Sequence, residues 1–247
     1  ASCDTESPLL HYYEGYAYIR SGNTARGWEC YKKGETVSPD YCFPNKIEEI
    51  NILKCAVHSL ELAPYASYYL GNILYDKKQS EKARAAWQKS IAEYSDYPMP
   101  YRNLAIIYYN KQNDPAKAMH YMKKAFALEP SNSRFLMELD QLSARIGRPT
   151  AERLTLLSEH LDTVVSRDAL YLEYITMLNS TCRYQEALDG ITSYVFHPWE
   201  GGEGRVSTQY RFALTETGRR EMKTGHSQDA IALLEQTFSS PDTLGEG

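Results

Sequence analysis

The chain has 247 residues, enough to bury one elongated core or two ordinary ones. A formal charge of -5 and a pI near 5.7, with no block of lysine or arginine, exclude the electrostatic footprint of a nucleic-acid binder. No apolar run reaches the roughly 18 residues of a membrane span, and the opening "ASCDTESPLL" lacks the basic and apolar regions of a signal peptide. The expectation is a cytoplasmic protein with neither nucleic-acid nor membrane partners.

Residues 8–35 read as a helical hairpin, with Gly15 in a small-residue slot and Tyr31 in an aromatic one. "NKIE" then offers Asn45 and Glu48 as a capping box that opens an extra helix, 45–63, running to about Ala63. In 64–97, Leu70-Gly71 is followed by Ala83 and Trp87. In 98–130 the same scheme returns as Leu104-Ala105, Ala118, Met122 and Ala125. Ala83 to Ala118 spans 35 residues and Ala118 to Ala187 spans 69, so the scheme has a period of 34 or 35. Small residues on both helices let the backbones approach, and Leu70, Tyr108, Trp87 and Met122 fill the space around them. Asp114 reads as an N-cap before Pro115, and Pro130 stops a helix.

Residues 131–166 keep the repeat length but place Glu138 where a small residue is expected, which makes the unit degenerate. Residues 168–194 return to the scheme. "FHPWEGGEGR", Phe196 to Arg205, reads as a corner in which Pro198 ends a helix, Trp199 plugs the core and the glycines take positive dihedrals. A turn does not call for His197, Glu200, Glu203 or Arg205, so the same loop is equally a lip at the end of a groove. A last hairpin occupies 207–240, and the closing "DTLGEG" has no polar capping helix, which reads as a segment of a longer protein.

These spacings resemble the tetratricopeptide repeat (TPR). The resemblance implies an all-α fold, a right-handed α-α superhelix (solenoid) of helical hairpins forming a single domain over 1–247, with a concave groove lined by the first helix of each hairpin. The groove positions hold Tyr12, Tyr16 and Arg20, then Tyr68, Asn72 and Tyr75, then Arg102, Asn103 and Tyr109. Tyr108 and Tyr121 are assigned to packing. Rings, amides and guanidinium groups together suit an extended peptide or a sugar, and the 21 tyrosines against six phenylalanines suit a surface that uses both ring and hydroxyl.

Catalytic chemistry finds little support. Glu48 and Glu49 diverge on a helix by about 100 degrees, and Glu200 with Glu203 lacks an opposing wall for glycoside hydrolysis. The six histidines form no metal-binding pair, "GGEG" is no phosphate loop, and no G-x-S-x-G elbow is present, so no catalytic residue, metal or cofactor is expected. The five cysteines read as free thiols in a reducing compartment, with a Cys30–Cys42 bridge as the alternative.

"DYCFPNKIEEINIL", "YYLGNILYDKK", "RNLAIIYYNK", "ELDQL", "FHPWEGGEGR" and "LGEG" together resemble, from Tyr12 to Gly247, the TPR region of long bacterial proteins of unknown function. Their front halves carry β-sandwich domains, one similar to galactose mutarotase. The resemblance implies a carbohydrate-associated context and no catalytic residue. Two functions follow. The first is a non-enzymatic scaffold whose groove takes a peptide or a neighbouring domain of its own chain. The alternative is a carbohydrate-recognition element using Trp199, Glu200 and the groove tyrosines.

Overall fold

A computed structural model describes residues 7–40 and 42–239. Cys3 and the closing "DTLGEG" lie outside them. The described residues form fourteen α-helices and no strand, and the chain divides into two compact units, Ala1–Glu129 and Pro130–Gly247.

The N-terminal unit holds α1 (Pro8–Arg20), α2 (Thr24–Gly34), α3 (Glu49–Ser59), α4 (Pro64–Asp76), α5 (Ser80–Glu93), α6 (Pro98–Asn110) and α7 (Pro115–Leu128). Helices α1/α2, α4/α5 and α6/α7 pack as hairpins, with α3 set against α1 and α4. Proline opens α1, α4, α6 and α7, where its missing N–H costs no hydrogen bond. The carboxylate of Asp114 accepts the N–H of Lys117, as the sequence suggested.

The hairpins close where the small residues lie. A Cβ on Gly15 would come within 2.5 Å of the Tyr31 ring, and one on Gly71 within 2.3 Å of Trp87 Nε1. Ala83, Ala105 and Ala118 are buried in the same way. Each of these hairpins turns through a left-handed residue, Gly22 (φ 87°), Lys78 (φ 62°) or Asn113 (φ 50°).

The expected capping box is corrected in one residue and in length. Glu49, not Glu48, accepts the N–H groups of Asn45 (2.7 Å) and Lys46 (2.8 Å), while its other oxygen takes the Tyr13 hydroxyl. Helix α3 therefore starts at Glu49, and it ends at Ser59 rather than Ala63 because the chain turns extended at Leu60 (ψ 149°).

The C-terminal unit holds α8 (Ser133–Arg145), α9 (Thr150–Glu159), α10 (Leu161–Val165), α11 (Asp168–Ser180), α12 (Tyr184–Ser193), α13 (Arg205–Thr224) and α14 (Ser227–Gln236). The degenerate stretch is α8 to α10. Glu138 pairs outward with Arg134 at 3.1 Å. What joins α8 to α9 is an ion triad. Arg153 on α9 grips Asp140 on α8 through two bonds of 2.8 and 2.7 Å and reaches Glu173 on α11 at 3.0 Å. Burial pushes the Asp140 carboxyl up, against the downward pull of the Arg153 guanidinium.

Helix α12 ends at Ser193, five residues before Pro198, so Pro198 does not terminate it. Phe196, 2% exposed, is the core plug, whereas Trp199 is only half-buried. Cys30, Cys42, Cys55 and Cys182 are free thiols, which removes the Cys30–Cys42 alternative.

Candidate functional site

Five of the nine expected groove residues come together on the N-terminal unit. Asn72 on α4 presents Oδ1 to two donors, the Trp87 indole N–H at 3.1 Å and Asn103 Nδ2 of α6 at 2.9 Å. Arg102 Nη1 donates to Asn103 Oδ1 at 3.3 Å. Tyr75 lays its ring against Trp87, with centroids 5.7 Å apart. Tyr68 contacts the Asn72 amide and feels Arg102, and burial raises its phenol. An indole, two carboxamides and a guanidinium thus run from α5 through α4 to α6.

Two expected residues are corrected. Tyr12 is fully buried and Tyr68 is 5% exposed, so their rings belong to the core and not to an open face. The α1 face that should carry Tyr12 outward is covered by α2 and α3. Tyr16 and Tyr109 are half-exposed, and Arg20 is exposed at the last residue of α1. Tyr108 and Tyr121 stack at 5.2 Å and 7°, as assigned to packing.

Below this site lies a carboxylate that the sequence reading missed. Glu35, just after α2, accepts the N–H groups of Tyr65 (2.8 Å) and Ala66 (2.9 Å) at the start of α4, and the Tyr12 hydroxyl (2.8 Å). It serves as a distant N-cap, where the helix dipole favours a negative charge. Burial nevertheless raises its carboxyl above the usual range, and its hydrogen bonds only moderate the rise. Its partners lie about thirty residues away, so no local pattern marks it.

In the C-terminal unit the loop from Phe196 to Arg205 is pinned to the start of α11. Asp168 accepts the Tyr194 hydroxyl and the His197 backbone N–H (3.2 Å), and its Oδ2 lies 3.3 Å from His197 Nδ1. Burial, helped by Asp168, pushes the Tyr194 phenol up to about 12. Phe196 packs against Tyr171 (5.9 Å) and Tyr194 (4.7 Å). Gly201 and Gly204 take φ of 78° and 69°, and a Cβ on Gly202 would lie 2.4 Å from the Trp199 ring. His197, Glu200, Glu203 and Arg205 are exposed around this core.

Elsewhere in the same unit, Ala151, Leu154, Thr155, Ser158 and Glu159 of α9 face Thr181 and Arg183 across an open cleft of about 590 Å³, which includes none of the expected residues. Glu221, His226 and Asp229 place one ligand atom each within 4.8 Å of one another and could hold a cation. They are largely exposed, and the His226 ring is already paired with Glu221 at 2.7 Å. No helix among the described residues is long and apolar enough to cross a membrane.

No family model matches the sequence. Among solved structures, the chain is similar to YrrB, a TPR protein described as having an unusual peptide-binding site. The TM-score is 0.52 at 15% identity, over 75% of this chain and 90% of that one. It is similar to the C-terminal part of a TPR repeat-containing protein from Cytophaga hutchinsonii, with a TM-score of 0.54 at 12% identity over 95% and 84%. PilF of Pseudomonas aeruginosa aligns over 96% of this chain and 94% of its own, with a TM-score of 0.50 at 15% identity. The chain is all-helical over its described residues and has the fold of the tetratricopeptide-repeat proteins.

Proposed function

We propose that the chain is a non-catalytic protein-interaction module whose N-terminal unit binds an extended peptide across α4 and α6. The observation that carries this reading is the Asn72–Asn103 amide pair, held at 2.9 Å and flanked by Arg102. Carboxamides offer a donor and an acceptor, the complement of a peptide backbone. The Trp87 indole fixes one amide in place, which reduces the ordering cost of binding. Arg102 favours an acidic side chain or a terminal carboxylate in the ligand. Tyr75 and Tyr109, both half-exposed, supply apolar contact. YrrB, of the same fold, is described as having a peptide-binding site. A neighbouring domain of a longer parent protein could supply the bound segment.

The test is selection from a random peptide library on the full chain, followed by calorimetry with the enriched sequences. Arg102→Ala and Asn103→Ala should each weaken binding about tenfold, the loss of one charge-assisted or amide hydrogen bond. Enriched peptides that bind both variants unchanged, or no enrichment at all, would end this reading.

A carbohydrate reading is favoured by one arrangement, the half-exposed Trp199 near Glu200, Glu203 and Arg205 on a loop whose start is anchored by Asp168. A sugar at 100 times its dissociation constant should stabilise the fold by about 2.7 kcal/mol, visible as a thermal shift. That shift should vanish in Trp199→Ala and Glu200→Gln. A shift retained in both, or none with any sugar class, removes it.

A further inference from the structure

Phe43 and Ile47 in the N-terminal unit are each 71% exposed, although the segment that carries them has little freedom to move. Glu49 accepts the N–H groups of Asn45 (2.7 Å) and Lys46 (2.8 Å), and Lys77 Nζ just past α4 donates to the Asn45 carbonyl at 3.0 Å. Single exposed apolar residues are ordinary on a protein surface. A pair of them on a chain tied down from two helices is a fixed apolar surface.

The course of this segment brings it beside the peptide site. Cys42 lies next to the Tyr68 and Tyr69 phenols in the middle of α4, and Asn45 lies at Lys77, one residue past the end of that helix. The helix rises about 12 Å from Tyr69 to Lys77, and an extended chain covers about 10 Å from Cys42 to Asn45, so the segment runs along α4. Its burial alternates in the same sense. Cys42 and Pro44 are buried while Phe43 and Asn45 are exposed, which turns Phe43 away from α4. Tyr68 joins the segment to the amide pair, because its phenol meets Cys42, the Asn72 amide and Arg102 together. Phe43 therefore stands at the border of the Asn72–Asn103 site, on the insertion that carries α3 and not on the repeat itself.

We propose, resting on the peptide reading above, that Phe43 and Ile47 are the apolar half of the same binding surface, and that its ligand is an extended peptide with an acidic residue for Arg102 and a large aliphatic or aromatic residue for Phe43 and Ile47. Arg102 sets the charge of the ligand, the amide pair takes its backbone, and the two apolar side chains select among acidic peptides. Because the segment is already pinned, the apolar contact forms with little ordering cost. A single ring, Tyr68, separates Cys42 from Arg102, so the two ligand residues lie within about four positions of each other, an extended reach of about 13 Å.

The experiment selects peptides from a random library on the full chain and titrates them by calorimetry against Phe43→Ala, Ile47→Ala and a control, Trp28→Ala, which removes an exposed ring from α2. Enriched sequences should carry an aspartate or glutamate within about four positions of a large apolar residue. Phe43→Ala and Ile47→Ala should each weaken binding about tenfold, as expected for roughly half of one buried apolar side chain. Trp28→Ala should change nothing. Alanine in place of the peptide's apolar residue should cost a similar factor with the intact protein and almost none with Phe43→Ala, a coupling that a change in folding does not produce. Both substitutions are at exposed positions, and unchanged melting confirms the fold. Peptides that require Arg102 and Asn103 but bind Phe43→Ala and Ile47→Ala as tightly as the intact protein overturn this inference and leave the peptide reading standing. A library that yields no binder ends both.

Discussion

Gly71→Ala probes how the hairpins close. The new methyl carbon would lie 2.3 Å from Trp87 Nε1 and 2.4 Å from its Cδ1, well inside contact distance. Trp87 is 2% exposed and has no room to retreat. Its indole N–H also bonds Asn72 Oδ1 and the Tyr68 carbonyl, so displacement breaks those contacts. Overpacking costs about 1–3 kcal/mol and the indole hydrogen bond about 1 kcal/mol. Alanine in a helix returns about 1 kcal/mol relative to glycine. The net expectation is a loss of about 2 kcal/mol, a shift of about 1 M in the urea midpoint for a typical slope. The control is Trp87→Leu, which removes the obstructing ring. In that background Gly71→Ala should be neutral or favourable by up to about 1 kcal/mol. Equal cost in both backgrounds, or stabilisation in the intact protein, would refute close approach at Gly71 as the basis of the hairpin.

Arg153→Ala leaves Asp140, 1% exposed, buried without its partner and should cost about 3–5 kcal/mol in urea unfolding; the double change Arg153→Met with Asp140→Leu should cost less than either single change. The Glu35 carboxyl is raised by burial in the folded state, so its contribution is greatest below its unfolded value near 4.5 and is lost as pH rises through the folded value. The stability of the intact protein relative to Glu35→Gln should therefore fall as pH rises above about 4.5, and a difference that grows with pH would show that the hydrogen bonds outweigh desolvation. Asp168→Ala removes the acceptor of the Tyr194 hydroxyl and the His197 N–H, and limited proteolysis should then cut between residues 197 and 204 while the remaining helices persist. Lys78→Gly relieves a left-handed residue at φ 62° and should raise the thermal midpoint, by about 0.5 kcal/mol in stability.

The hairpins were legible because their cause is local and periodic. Gly71 and Ala105, and likewise Ala83 and Ala118, recur 34 and 35 residues apart because each marks a place where two backbones meet, and Asp114-Pro115 announces a helix start within two residues. The ends of α3 and α12 were less legible. Glu48 and Glu49 both follow Asn45 closely enough to cap, and only backbone geometry selects Glu49. Pro198 looked like a helix stop because proline disfavours helix in the residue before it, yet α12 had already ended.

The groove residues show where periodic reading loses its force. It put Asn72 and Asn103 on the first helices of successive hairpins, and although they are 31 residues apart, short of a full repeat, the fold joins them by a 2.9 Å bond. It placed Tyr12 outward and failed, because α3 is an insertion between repeats that covers α1. Period fixes the direction of a side chain relative to its own helix, while burial depends on what lies opposite. An inserted helix changes the second without altering the first. The Glu35 cap on α4, the Arg153–Asp140 grip between α8 and α9, and the Asp168 anchor of the loop arise similarly from partners brought close only by the completed fold. All three replace or supplement packing where the repeat is interrupted: beside the inserted α3, in the hairpin without small residues, and at the long loop before α13. In this chain these three carboxylates, one buried and two half-buried, mark places where the regular repeat is broken.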